Sequence, residues 1–297
     1  MKHALVTGGN AGIGKETARA LVGQGYEVII AARNAAKGQA VVERIRDEHP
    51  QGRISFWPVD LSEPDQVATL AQRVRERWDR LDALVLNAGL FTPRLSTGIM
   101  GFEYMFSTTH LGHFLLTHHL LPLMVASPDG RIVVTSSVAH HLGGRFDFDS
   151  LRQPSTSTFV LGAPLRAYGR SKLANLLFVR ELARRLADTQ VLVNAVHPGG
   201  VRSELWRDTP RLVNALLSPG LVSEEEGAQT LIFLATDPAL TQTGQYWTRK
   251  TVRRGSAASQ DPALARRLWA YSEQAMGITE FGAPDADREA HLRQAAS

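Results

Sequence analysis

An apolar strand pattern that runs through a glycine cluster into an amphipathic helix constrains this chain more than any other feature. Lys2–Thr7 reads as the strand and Thr7-Gly8-Gly9-Asn10-Ala11-Gly12-Ile13-Gly14 as the turn. Gly12–Gly25 reads as the helix, with Ile13, Ala18, Leu21 and Val22 on its apolar face and Gly23 and Gly25 ending it. The spacing is T-G-x-x-x-G-x-G, not G-x-G-x-x-G, but the physics is similar. Glycine permits the tight turn and lets backbone N–H groups approach a pyrophosphate at a helix N-terminus. Glycine clusters are common in turns, and what makes this one specific is its place between the first strand and the first helix. Gly8, Asn10, Gly12, Ile13 and Gly14 are therefore candidate cofactor-binding positions.

The alternation continues along the chain. Strands are expected at Glu27–Arg33, Ile54–Val59, Ala83–Leu86, Arg131–Thr135 and Val191–Val196. Helices are expected at Asn34–Glu48, at Pro64–Trp78 with Ser62 as N-cap, at Gly101–Val125 and at Leu165–Ala187. Six strands separated by helices imply right-handed crossovers and a parallel sheet covered on both faces. The expected fold class is α/β: a doubly wound, Rossmann-type parallel sheet in three α/β/α layers. No linker or repeat interrupts it, so one dinucleotide-binding catalytic domain is expected over residues 1–297. Residues 140–164 and 202–223 break the rhythm as candidate substrate loops, and 249–297 form a C-terminal extension. Both loops follow the carboxyl ends of strands, where open α/β sheets bind ligands.

The end of the second strand selects the cofactor. Arg33 stands 19 residues beyond Gly14, where NAD-binding chains place an acid on the ribose 2′-hydroxyl. A guanidinium would pair with a 2′-phosphate, so Arg33 points to NADP(H). Lys37 adds charge one turn later.

The chain has no cysteine, which excludes disulfides, thiolate metal sites and cysteine catalysis, and fits a reducing compartment. The net charge of +4 and a pI near 9.6 raise nucleic-acid binding, but the basic residues are scattered, as on a solvated surface. The apolar stretch from Leu111 to Val125 is broken by His113, His118, His119 and Pro122, which makes a poor membrane helix. A cytoplasmic protein without nucleic-acid or membrane partners is expected.

Tyr168 and Lys172 stand four apart in an expected helix and share a face. An ammonium beside a phenol favours the phenolate and is expected to lower the Tyr168 pKa toward neutrality. A phenol so tuned exchanges a proton with a carbonyl or alcohol oxygen.

These motifs together resemble the short-chain dehydrogenase/reductase family, and within it the retinol dehydrogenase-like branch. The resemblance runs from Lys2 to at least Trp247. It rests on Gly12-Ile13-Gly14-Lys15-Glu16-Thr17-Ala18, His110-Leu111-Gly112-His113-Phe114-Leu115-Leu116-Thr117, Ser136-Ser137-Val138-Ala139-His140, Ser171-Lys172-Leu173-Ala174-Asn175 and His197-Pro198-Gly199 with Val201-Arg202-Ser203. The resemblance implies that Tyr168 is the general acid/base and that Lys172 also holds the nicotinamide ribose. It implies that Ser137, rather than Ser136, positions the substrate oxygen. Asp60 and Leu61 resemble the adenine contact after strand three, and Asn87-Ala88-Gly89 the segment that supports the sheet and passes the adenine ribose. Pro198, Gly199 and Val201 resemble the turn that holds the carboxamide, and Ser203 stands where many members have a cofactor-touching Thr. Long helices such as Leu165–Ala187 pair across subunits in the family, so a homodimer or homotetramer is open.

Three features depart from the family or stretch its pattern. The catalytic Asn before the His-Leu-Gly segment is replaced by Thr109, which puts the usual water relay from the Lys in doubt; His110 and His113 are substitutes to weigh. Their spacing with His118 and His119 also raises a metal, but no carboxylate accompanies them and helix packing accounts for them, so none is expected. Ser137 and Tyr168 are 31 residues apart, long for the family, although this branch carries an insertion there. Membrane-bound retinol dehydrogenases carry an anchor before the first strand; here the strand begins at residue 2 or 3, and none is expected.

The leading expectation is an NADP(H)-dependent oxidoreductase acting on a hydrophobic ketone, aldehyde or alcohol, with Phe91, Leu95, Leu142, Phe146, Leu205 and Trp206 around the substrate. The alternative is a dinucleotide-binding regulator or redox sensor with little turnover, which Thr109 alone supports. A sugar-nucleotide epimerase would have a T-G-x-x-G-x-x-G loop and a larger C-terminal domain.

Overall fold

Successive strand residues point to opposite faces, and in this chain both sets are apolar. In the computed structural model, which describes residues 1–98, 101–144, 146–152, 162–200 and 222–283, Leu5, Ile29, Leu84, Ile132 and Val193 face one side of a sheet. Ala4, Val6, Val28, Ile30, Val85 and Val133 face the other. A sheet apolar on both faces must be covered twice.

The sheet comprises β1 (Lys2–Thr7), β2 (Tyr26–Ala32), β3 (Arg53–Pro58), β4 (Ala83–Leu86), β5 (Arg131–Thr135), β6 (Leu192–His197), β7 (Tyr246–Thr248) and β8 (Thr251–Arg253). Its order is β3-β2-β1-β4-β5-β6-β7-β8, parallel throughout except that β8 runs antiparallel to β7. Helices α1 (Gly12–Gly23) and α2 (Ala35–Glu48) cover one face together with α7 (Glu224–Thr236). The other face carries α3 (Pro64–Arg77), α5 (Gly112–Val125), α6 (Ala163–Arg185) and α8 (Pro262–Met276). The order reverses between β1 and β4, so the loops after those two strands meet in one crevice.

The sheet is thus the expected one, with two strands and two helices added. The all-parallel expectation fails at the β7–β8 hairpin. Its two-residue turn puts Arg249 and Lys250 at φ 50° and 56°, the left-handed region that Asn-Gly usually supplies. An Arg-Lys pair carries no such signal in the sequence.

The expected helix Gly101–Val125 is broken. A short α4 (Tyr104–Phe106), started by the Glu103 carboxylate accepting from the Met105 and Phe106 amides, leads into a π-helical turn over Ser107–Leu111 and then into α5. Gly112 opens α5 because a Cβ there would stand 2.1 Å from the Leu61 carbonyl oxygen. Glu63, not Ser62, is the N-terminal residue before α3; the Ser62 hydroxyl instead donates to Asp60 Oδ1 at 2.7 Å. Phe146, expected at the substrate, is buried against Phe148, which packs on Tyr271 of α8.

The histidines of the broken helix are core residues. His110 Nε2 lies 2.9 Å from Ser272 Oγ, whose own proton goes to the Leu268 carbonyl, so Nε2 is the donor. His113 spans the Thr109 carbonyl and the Thr7 hydroxyl. Burial pushes both imidazoles down to about 3.

Two predictions follow from this packing. Trp269 is 1% exposed and meets Phe114, Phe178 and Phe281 at ring-centroid distances of 5.0, 5.9 and 4.5 Å. Trp269→Ala is expected to cost about 3–5 kcal/mol in chemical denaturation followed by circular dichroism; a loss under about 1 kcal/mol would show that α8 is not part of the core. The second concerns pH. Unfolded imidazoles take up a proton near 6.5, while His110 and His113 in the folded chain do so only near 3. Between those values the unfolded chain binds more protons, so stability falls as pH falls, by roughly 2 kcal/mol per imidazole from pH 7 to 5. Denaturation midpoints at the two pH values check it, with His113→Gln expected to flatten the dependence.

Candidate active site

The glycine turn after β1 adopts a conformation that side chains would forbid. Gly8 and Gly12 have φ of 66° and 57°, and a Cβ on Gly14 would stand 2.4 Å from the Gly8 carbonyl oxygen. Helix α1 starts after an extended Ala11 with no side chain capping its amides and no acidic residue in its first turn. By contrast, Asn34, Ser223 and Asp261 cap α2, α7 and α8. The first-turn amides of α1, among them those of Gly12, Ile13 and Gly14, are thus left for an anion, and Asn10 sits in the turn before them.

The loops after β1 and β4 are tied by side chains. Thr7 Oγ1 accepts from the Asn87 and Ala88 amides at 2.9 and 3.1 Å. The Asn87 amide group donates to the Thr7 carbonyl at 3.1 Å and accepts from the Thr135 hydroxyl at 3.4 Å. Gly89 follows, exposed, and a Cβ there would lie 3.1 Å from Lys172 Nζ and 3.7 Å from Thr109 Oγ1.

At the edge formed by β2 and β3, the exposed Arg33 guanidinium donates to the Tyr104 hydroxyl and lies 3.7 Å from Asp60 Oδ2. Asp60 Oδ1 accepts from the Ser62 amide and hydroxyl. This holds the turn that carries Leu61 against Gly112. Arg33, Asp60, Asn87 and the glycine turn therefore line the carboxyl edge from β3 to β4, and these residues fit a nicotinamide dinucleotide. After β6 come Pro198 and Gly199, at φ 93°, and the Gly200 carbonyl accepts from the Val222 amide at 2.8 Å. Val201, Ser203, Leu205 and Trp206 lie outside the described residues.

Strand β5 ends at Thr135, two residues earlier than Ser137. Ser137 is the N-cap of a 3-10 turn, Val138–Gly143, and its half-buried hydroxyl accepts from the Ala139 amide at 3.1 Å. That hydroxyl is within hydrogen-bonding reach of the Tyr168 phenol. Ser136 turns inward and donates to the Lys172 carbonyl at 2.8 Å. On α6, Lys172 Nζ donates to the Thr135 carbonyl at 3.1 Å, and the Asn175 amide donates to the same oxygen at 3.0 Å. Thr109 sits in the π-turn, fully buried, with its hydroxyl unpartnered across Gly89 from the ammonium.

The electrostatics depart from expectation. Burial pushes the Tyr168 phenol up to about 12, with the Ser137 hydroxyl acting against it, and pushes Lys172 down to about 8. The ammonium is 5.7 Å from the phenol ring centroid and turned to Thr135, so the expected lowering of Tyr168 by Lys172 is not what sets its value here. Met105, Leu90, Phe91 and Leu95 pack around Tyr168, with Phe91 edge-on at 5.9 Å, while Val138 and Leu142 are exposed beside it on the Ser137 turn. Thr7, His140 and Asn175 stand within motifs read from the sequence, which gave none of the three a role of its own; their hydrogen bonds appear only in the fold.

Residues 2–146 match the family model described as short chain dehydrogenase, and residues 155–248 one described as enoyl-(acyl carrier protein) reductase. Human retinol dehydrogenase 12 is 39% identical over 280 residues, which cover 93% of this chain and 87% of that protein. A solved structure of an uncharacterised Mycobacterium paratuberculosis protein superposes with a TM-score of 0.75 at 31% identity, over 95% of both chains. The Pseudomonas aeruginosa RhlG/NADP active-site complex does so with a TM-score of 0.67 at 28% identity, over 83% of this chain and 94% of that one. No helix among the described residues is long and apolar enough to cross a membrane. With the sheet order, the glycine turn and the Ser137–Tyr168–Lys172 cluster, these similarities establish that the chain belongs to the short-chain dehydrogenase/reductase family and is an oxidoreductase related to the retinol dehydrogenases.

Proposed function

We propose that the protein is an NADP(H)-dependent oxidoreductase that interconverts a hydrophobic ketone or aldehyde and the corresponding alcohol. The observation that carries this is the meeting of Ser137, Tyr168 and Lys172 under an apolar cover of Leu90, Phe91 and Leu95, beside the glycine turn. Relatives named retinol dehydrogenase bear the name of an apolar alcohol, and the RhlG structure is an NADP complex. A cytoplasmic location belongs to the same reading, on the cysteine-free composition.

A nicotinamide dinucleotide, when bound, supplies or takes up the hydride. The residues of this chain do the rest. The amides at Gly12-Ile13-Gly14 and the α1 dipole hold a pyrophosphate, and Arg33 pairs with the 2′-phosphate. Asp60 and Leu61 bound the adenine end, and Ala88 and Gly89 border its ribose. Pro198 and Gly199 stand at the nicotinamide end. Lys172 has three N–H donors and gives one to Thr135, so the others are available to ribose hydroxyls. Ser137 orients the substrate oxygen, and Tyr168, which keeps its proton at neutral pH, donates it to that oxygen in the reducing direction. The Thr109 hydroxyl faces Lys172 across Gly89 and takes the place of the relay Asn. A regulator without turnover is the weaker reading, because every group needed for the proton step is present.

Tyr168→Phe keeps the ring and removes the proton. Turnover in NADPH oxidation with a panel of apolar ketones and aldehydes is expected to drop 10²–10⁴-fold, with NADPH affinity largely kept; near-normal turnover would sink the assignment. Arg33 is expected to favour NADPH over NADH by roughly 1–3 kcal/mol in fluorescence titration, and Arg33→Asp to lose most of that preference. Equal affinities of the wild type for both dinucleotides would exclude Arg33 as the phosphate clamp.

A further inference from the structure

We propose that His140 is a positioning residue for Ser137, and that it acts by splicing the segment after β8 onto the turn that carries the serine. The proposal rests on the reading of Ser137 given above. His140 is three residues beyond Ser137, is 1% exposed, and has no part in the proton chemistry just described. Its Nδ1 lies 2.6 Å from the Ser137 carbonyl oxygen, and its Nε2 lies 3.0 Å from the Ser256 amide nitrogen. A carbonyl can only accept, so Nδ1 carries the proton. A backbone amide can only donate, so Nε2 must offer its lone pair. The neutral Nδ1–H tautomer alone makes both bonds.

Each end of the splice is built to hold. On the far side, the Ser259 hydroxyl donates to the Ser256 carbonyl at 2.7 Å, and the Gln260 amide group donates to the Gly255 carbonyl at 3.0 Å. These bonds fix the direction of the Ser256 N–H. Gly255 permits the approach, since a Cβ there would stand 2.3 Å from Ser259 Oγ and 3.5 Å from His140 Nε2. On the near side, the Val138–Gly143 turn is pressed onto α6 at Gly169, where a Cβ would meet the Ala139 carbonyl oxygen and the Gly143 nitrogen at 2.6 Å. Gly169 follows Tyr168 directly. A shift of the turn therefore changes the placement of Ser137 against Tyr168, and the Ser256 amide is what anchors the turn to the last part of the sheet.

The splice needs an uncharged ring. The groups that face His140 are His141 on its own turn, with centroids 4.1 Å apart, Tyr246 of β7, edge-on at 5.2 Å, and His197 at the end of β6. Burial lowers its pKa below the usual 6.5, and His141 adds to this, against the pull of the Ser137 carbonyl. Protonation would point an Nε2–H at the Ser256 N–H and open the contact, so the splice is closed at neutral pH and lost as pH falls through the lowered value.

The test has an arm that needs no activity. In the wild-type protein at pH 7, imidazole nitrogen NMR is expected to find His140 protonated at Nδ1 and bare at Nε2, with a titration midpoint below 6.5. Hydrogen exchange at the Ser256 amide is expected to be slow, and at least tenfold faster in His140→Phe, which has no acceptor. The catalytic arm reads kcat against KM. His140→Phe is expected to lose roughly tenfold in kcat, about one hydrogen bond's worth, with KM for NADPH unchanged. His140→Asn, which keeps a donor for the Ser137 carbonyl but cannot reach Ser256, is expected to fall between. An Nε2–H tautomer, or equal Ser256 exchange in wild type and variants, overturns the splice. A confirmed splice with unchanged kcat in both variants overturns the positioning role. Failure of the wild type to turn over any carbonyl overturns the oxidoreductase reading and this role with it, while tautomer and exchange still judge the splice. If His140→Phe does not fold, the wild-type spectra and His140→Asn decide.

Discussion

The hydroxyl of Thr7 holds the sheet together where its strand order reverses. A hydroxyl has one proton and two lone pairs, and here all are used. The lone pairs accept from Asn87 and Ala88. The proton goes to His113 Nε2 at 2.9 Å, because His113 Nδ1 must donate to the Thr109 carbonyl at 3.0 Å and so leaves Nε2 as an acceptor. The competing contact, Thr7 Oγ1 to the Val85 carbonyl, is longer at 3.3 Å. One side chain thus closes the crevice between β1 and β4 and joins it to the start of α5. The rotation of that helix sets where the π-turn delivers Thr109, and the same crevice puts Gly89 between Thr109 and Lys172.

Lys172 is held from behind. Its ammonium and the Asn175 amide share the Thr135 carbonyl, and its own carbonyl takes the Ser136 hydroxyl. Asn175 lies in turn beside His110, which donates to Ser272 of α8. Such an arrangement rigidifies a buried charge, at the cost of desolvating it. That cost is visible in Tyr168 and Lys172, which burial drives in opposite senses: the phenol up to about 12, the ammonium down to about 8. Spacing four apart on a helix guarantees a shared face; it does not guarantee that the charge reaches the ring, and here the Thr135 carbonyl takes its direction.

The parts of this that were legible in the sequence were those with a period or a forced residue. Buried parallel strands read as apolar runs, and Gly8, Gly12 and Gly14 stand where no side chain fits. The shape of the glycine turn was therefore readable from residue types alone. The hairpin Tyr246–Arg253 was not, since its strands are three residues each and its left-handed turn is Arg-Lys. The π-turn was not readable either, because the helix that follows it is buried nearly all round and so has no polar face whose phase could record one extra residue. Phe146 was misplaced for a related reason: an aromatic in a loop beside a site reads as lining, and only the position of α8 shows that Phe148 and Tyr271 claim it for the core.

Histidine was the residue type whose use the sequence hid most completely. A run such as His110, His113, His118, His119 looks like ligands, and the His140-His141 pair just after Ser137 looks like a base. The structure uses two of these rings, uncharged, as two-ended connectors. His113 joins a helix carbonyl to a strand-end hydroxyl, and His140 a turn carbonyl to a distant amide. His110 links the π-turn to α8 and lies beside Asn175 of α6. An amide side chain carries its donor and acceptor on one carbon, whereas an imidazole carries them on opposite flanks of a rigid ring, which suits it to bridging two backbone segments. The tautomer is dictated by what faces each nitrogen, and burial keeps the proton count at one by lowering every pKa of the set. A chain without cysteine to staple its loops has in these rings a means of fixing buried polar contacts, and because each contact needs a neutral ring, protonation releases the geometry around Thr109 and Ser137 only near pH 3 for His113 and below the usual imidazole value for His140.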